Sequence, residues 1–169
     1  MAASVASTAQ LARYLRGVGD PELDPRLPAP TPTERASLFP LVYRFLALFH
    51  AGDYRAAWAA AQSARELMRA VPGLAAVPEY ELYAALTLAA LHDAASVTTE
   101  REVLPRLRED EARFAAWARA CDANFGHKHA LVAAELARLE GRGLEALQLF
   151  QQAIHGARTH GCVQYEALA

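Results

Sequence analysis

Cys121, His127 and His129 lie close together in this chain, with His155, His160 and Cys162 further on. Such residues could ligate a metal or supply a thiol nucleophile, which would make the chain a small metal or thiol enzyme. The spacing argues against it. Residues two apart on a helix point to different sides, and no interval here matches a structural zinc site. His127 and His129 read better as a helix-entry pair, one packed and one solvated, and the two cysteines as buried apolar fillers. Glu135, Glu140 and the run Glu109, Asp110, Glu111 offer carboxylates without an obvious general-acid partner, so they read as solvated faces. Gly141-Arg142-Gly143-Leu144-Glu145-Ala146 fits the dinucleotide pattern GxGxxA. That motif needs a strand leading into its turn, whereas the preceding segment is helical, so a helix-to-helix turn is expected. No catalytic residue, metal or cofactor is predicted.

The elements that must carry these residues follow from periodicity and punctuation. A short helix is predicted from Val5 to Arg16, ended by Gly17 and Gly19. Residues 18–33 contain Pro21, Pro25, Pro28, Pro30 and Pro32 and read as a linker, because proline fixes φ and removes an amide donor. Helices are then expected at 36–51, 53–70, 78–95, 99–121, 126–140 and 143–159, with a last one beginning near Val163. Asp53 is placed to cap the second of these, Pro78 suits a first helical turn, and Thr99 with Glu102 forms a capping box. Asp122 or Asn124 should cap the helix that follows. Pro40 and Pro105 fall inside two of the spans and either begin or bend them.

Composition agrees with helices throughout. Hydrophobic residues make up 53% of the chain and charged ones 21%, and Ala and Leu far outnumber Gly and Pro. A formal charge of −2 gives no long-range attraction to nucleic acid or anionic lipid, and no apolar run is long enough for a membrane span. The first residues carry no cation before Arg13 and no sustained apolar core, and the two cysteines form no CxxC, so a reducing cytoplasm is expected. Lys128 is the single lysine. Arg101, Arg106 and Arg108 form a basic run, but Glu100, Glu102, Glu109, Asp110 and Glu111 cancel most of its field. Tyr43, Phe45, Phe49, Tyr80, Tyr83, Phe114 and Trp117 recur at helical spacing and are expected to pack between helices.

Long helices with short breaks pack as antiparallel neighbours, in a closed bundle or an open stack of hairpins. Internal repetition favours the stack. Gly52, Ala57 and Ala64 recur as Gly141, Ala146 and Ala153, all offset by 89 residues. Glycine permits a tight turn, and alanine lets paired helices approach closely. This spacing resembles the tetratricopeptide repeat, with Tyr54 and Phe150 at positions where that unit has aromatics. Gly143 departs from it, as do Arg69 and Arg158, which stand where the unit often ends in proline. The expectation is all-α: a right-handed superhelical stack of antiparallel helical hairpins, degenerate and tetratricopeptide-like, over 34–169. The residues of its concave face would include Lys128, Glu135 and Arg138.

A more particular likeness runs through Asn124-Phe125-Gly126-His127-Lys128-His129-Ala130-Leu131 to Gly141, then Glu145-Ala146 and Gln152-Ala153-Ile154. It is accompanied in order by Gln10 to Gly17, Phe49 to Tyr54, Glu79-Tyr80 with Tyr83, Trp117 with Cys121, and Gln164 to Leu168. Together these resemble the helical repeat region of very large bacterial signalling proteins. There a serine/threonine kinase domain and an AAA-type ATPase module precede the region, and GAF and histidine kinase domains follow it. The resemblance implies a scaffold with no catalysis of its own, truncated at its carboxyl end. This chain has no GxxxxGK[ST] loop, His-Arg-Asp loop or Asp-Phe-Gly triplet. The expected partners are a protein or peptide, or adjoining domains of one polypeptide, with a homodimer left open. The alternative is the helical sensor region of an ATP-dependent transcription regulator.

Overall fold

The computed structural model describes residues 38–69, 76–93 and 100–169. Seven helices occupy them: α1 (Leu38–His50), α2 (Tyr54–Arg69), α3 (Ala76–Asp93), α4 (Glu100–Ala120), α5 (Asp122–Leu139), α6 (Gly143–Thr159) and α7 (Val163–Leu168). No strand occurs among the described residues, so the chain is all-helical there. None of these helices is long and apolar enough to cross a membrane. The predicted first helix, the proline-rich linker and Thr99 of the capping box lie outside the described residues.

The chain divides into two compact units, residues 1–87 and 88–169. In the first, α1 and α2 form an antiparallel hairpin. Phe45 is fully buried and meets Tyr80 edge-on at 5.7 Å. The Tyr80 hydroxyl donates to the Ala61 carbonyl at 2.9 Å, which satisfies a polar tip that burial would otherwise strand. Residues 82–87 of α3 are all buried, including Thr87, whose hydroxyl donates to the Tyr83 carbonyl at 2.6 Å. Burial, then the nearby Glu79 carboxylate, raises the Tyr83 phenol to about 12.

In the second unit α4 packs on α5, α5 on α6, and α6 on α7. Its core holds Val103, Leu107 and Phe114 from α4, Leu131, Val132 and Leu136 from α5, and Ala146, Ala153 and Ala157 from α6. At Gly156 an added Cβ would stand 3.2 Å from the His127 Cβ, so α5 and α6 are in close approach there.

Three of the four helix junctions in these segments are the same object. Gly52, Gly141 and Gly161 have φ of 77°, 77° and 70°, values that glycine adopts without the clash a Cβ would bring. Each amide donates to the carbonyl three residues back. The next amide donates to the carbonyl five back: Asp53 to Leu48 (3.1 Å), Arg142 to Ala137 (2.8 Å) and Cys162 to Ala157 (2.8 Å). This paired bonding is a Schellman closure. The residue that completes it also starts the next helix, since the carbonyls of Asp53, Arg142 and Cys162 accept from Ala57, Ala146 and Glu166.

Local details follow the sequence unevenly. The Asp53 carboxylate accepts the Ala56 amide at 3.0 Å and caps α2 as expected. Pro40 and Pro78 fall in first turns, where the missing donor would have had no helical acceptor, while Pro105 lies inside α4. The helix expected from 126 begins instead at Asp122, and neither Asp122 nor Asn124 caps it. Cys121 holds that position in extended backbone, and its carbonyl accepts the Phe125 amide at 3.1 Å. Asp122 therefore sits in the first turn of α5, where its negative charge interacts favourably with the positive end of the helix dipole.

Candidate functional site

The residues singled out for their recurrence in the sequence are placed as follows. Ala57 and Ala64 of α2 are fully buried, as are Ala146 and Ala153 of α6, and Gly52 and Gly141 make the matching turns. Tyr54 meets Phe49 edge-on at 5.6 Å, and Phe150 is half-buried. Small side chains at buried helix positions let neighbouring helices approach closely.

The residues expected on the concave face separate. Arg138 is bound on two sides: its guanidinium donates to Asp93 at 3.0 Å and to Glu135 at 2.7 Å. The Asp93 bond first, then Glu135, raises its pKa further above an already high value. Glu135 and Arg138 thus form one pre-oriented pair, open to solvent on the Arg138 side. Lys128 lies elsewhere, with 7% of its surface exposed. Its Nζ stands 4.6 Å from the centre of the Tyr165 ring and 5.8 Å from that of Phe125. The buried His127 ring lies 4.9 Å from the same tyrosine. Tyr165 of α7 therefore closes over the first turns of α5, a cationic and aromatic contact that holds the shortest helix in place.

The carboxylates taken as solvated faces are more structured than that reading. Asp110 is 1% exposed, because it lies on the inner face of α4, and Arg106 meets it at 3.1 Å. Glu111 pairs with His129 at 2.7 Å, both half-buried between α4 and α5. Glu140 binds Arg108 and Arg142 at 2.6 Å each, and these bonds, Arg108 first, hold its carboxyl below its ordinary value. Arg142 also pairs with Glu145, and Arg158 with Glu166. Cys121 and Cys162 are half-buried rather than core fillers, since each occupies the residue before a helix. Among the described residues, no three His, Cys, Asp or Glu side chains converge as metal ligands would.

One surface was not anticipated. Leu144 is 74% exposed and Leu147 56%, both on α6, and Val163 at the start of α7 is 72% exposed. From Ala146 to Ala157 the chain contains no Asp, Glu, Lys or Arg. The outer positions of α6 are instead Leu144, Leu147, Gln148, Gln151, Gln152 and His155. The absence of charge over those residues was legible in the sequence; which side of α6 stays uncovered was not.

The described helices thus carry two-sided ion pairs at Glu140 and Arg138 and, on α6, a run from Ala146 to Ala157 without Asp, Glu, Lys or Arg. Comparison with protein-family models, with curated proteins and with solved structures finds no match for the chain.

Proposed function

We propose that this chain acts through protein contact rather than catalysis, as a regulatory helical repeat module of a bacterial signal-transduction kinase. In this reading the hairpins continue one right-handed, tetratricopeptide-like superhelix, and its concave face, centred on Glu135 and Arg138, takes a peptide or an adjoining domain. One observation carries the reading. The hairpins α1–α2 and α5–α6 share a turn with the same paired hydrogen bonds and bury alanines at the same two later positions. Recurrence of one supersecondary unit within a chain is the mark of repeat architecture. The pre-oriented Glu135–Arg138 pair suits recognition, since a side chain already held in place loses little freedom on binding.

The mass of the native product, by immunoblot with antibody against this chain, tests the larger claim. A band far above 18.3 kDa is expected for a module of a large signalling protein. A band at that mass would remove the kinase from the reading and leave a free-standing adaptor. Partner recovery with the double variant Glu135→Arg, Arg138→Glu tests the face itself. Binding should weaken while helicity is kept, and unchanged binding would remove the face.

A further inference from the structure

A guanidinium can grip a carboxylate by paired bonds along two of its edges, one through Nε and Nη2 and the other through Nη1 and Nη2. At Arg138 both edges are taken. Nε and Nη2 donate to a single oxygen of Glu135, Oε2, at 2.9 and 2.7 Å. On the other edge Nη1 donates to Asp93 at 3.0 Å, and Nη2 stands 2.8 Å from the second Asp93 oxygen. A carboxylate arriving from a partner would have to displace one of these two before it could use the fork. The acceptors are in the opposite condition. Glu135 Oε1 accepts no bond among the described residues, and the Asp93 side chain is 51% exposed.

Charge points the same way. Two carboxylates flank one guanidinium, so the triad carries one negative charge in excess, whereas Glu140 and Glu145 are balanced by Arg108 and Arg142. The six residues that follow Asp93 in the chain bring no charge. Asp93 ends α3, and Arg138 lies in the last turn of α5. The carbonyl ends of two helices, each with partial negative charge, therefore come together at the triad.

From this geometry we infer that the Glu135–Arg138 face selects a basic segment, whose arginine or lysine side chain is received by the carboxylates of Glu135 and Asp93. The inference rests on the contact reading proposed above and deepens it by fixing the sign of the partner's charge. A cation gains from the excess negative charge and from the open acceptors. An acidic segment would meet that same charge as repulsion and would have to break a bond already made at Arg138.

The test is titration of the whole chain, followed by fluorescence anisotropy, with two labelled short peptides, one alternating glycine and arginine and the other glycine and glutamate. The arginine peptide should bind and the glutamate peptide should not. Glu135→Gln and Asp93→Asn should each weaken the arginine peptide roughly three-fold, the weight of one exposed ion pair. Arg138→Gln removes a repelling cation and should leave binding as tight or tighter. Glu66→Gln, at an exposed position of α2 outside the triad, changes the net charge equally and should leave binding unaltered. All four positions are exposed or half-buried, so the fold is kept. Weaker binding of the arginine peptide to Arg138→Gln, or a preference for the glutamate peptide, overturns the inference and leaves the face as a contact site. An effect of Glu66→Gln equal to that of Glu135→Gln also overturns it, because the attraction would then belong to the whole chain. Indifference to every substitution overturns it together with the face.

Discussion

The hairpins α1–α2 and α5–α6 have the same turn and opposite surroundings. The residues flanking Gly52 are rings: Phe49 meets His50, Tyr54 and Tyr83 at 5.4, 5.6 and 5.0 Å. Those flanking Gly141 are ions, with Glu140 held between Arg108 and Arg142 and Arg142 reaching on to Glu145. Asp53 adds a side-chain cap, whereas Arg142 makes none. The turn thus depends on glycine and on small residues farther along each second helix. What packs beside it is interchangeable between apolar and ionic chemistry, because neither supplies the backbone bonds that define it.

The sharpest way to break this comparison is to enlarge the shared small positions. Ala64→Leu and Ala153→Leu, at sites 0% and 1% exposed, should each cost about 2–3 kcal/mol by overpacking, read as a lower urea midpoint. Tolerance at one site only would show that the two hairpins do not share a seam. Next come the turns. Gly52→Ala and Gly141→Ala meet no atom within 4 Å, so the cost is purely conformational, about 1–2 kcal/mol, and equal at the two sites. A large difference between them would mean that the flanking rings or ions do hold the turn. Smaller still is the cap: Asp53→Ala should lose about 1 kcal/mol, whereas Arg142→Ala should leave the thermal midpoint nearly unchanged, since its pairs are solvent-screened.

The smallest effect separates the hairpins by pH. Desolvation lowers the His50 pKa from its ordinary 6.5, so the folded state prefers the neutral ring and the unfolded chain takes the proton more readily. Stability from this group is present above about pH 6.5 and declines as pH falls through that value. His50→Gln should flatten the stability profile between about pH 5 and 7. A profile identical to wild type would assign that dependence to another group.

How much of this could be read from residues alone depended on range. The helices and the Gly52 and Gly141 turns were legible because glycine and alanine act on their immediate neighbours. The third turn, at Gly161, escaped the same pattern because Glu166 stands where the other two have alanine. The start of α5 was misplaced since Cys121 caps with its carbonyl alone, which no side chain signals. Lys128 was expected on an open face and lies under Tyr165, a contact across 37 residues that depends on how the turn at Gly161 directs α7. The ion pairs Arg108–Glu140 and Arg138–Asp93 likewise join distant parts of the chain, and periodicity carries no information about them.

Because one residue both closes one helix and opens the next, these turns contain no slack. A single residue inserted between Glu140 and Arg142 would rotate all of α6 by about 100° relative to α5, bringing Glu145 and Gln152 to the buried places of Ala146 and Ala153 and turning Ala146 outwards. Such a junction transmits angular displacement instead of absorbing it: a small rotation of α5 must be passed to α6 as from one gear to the next.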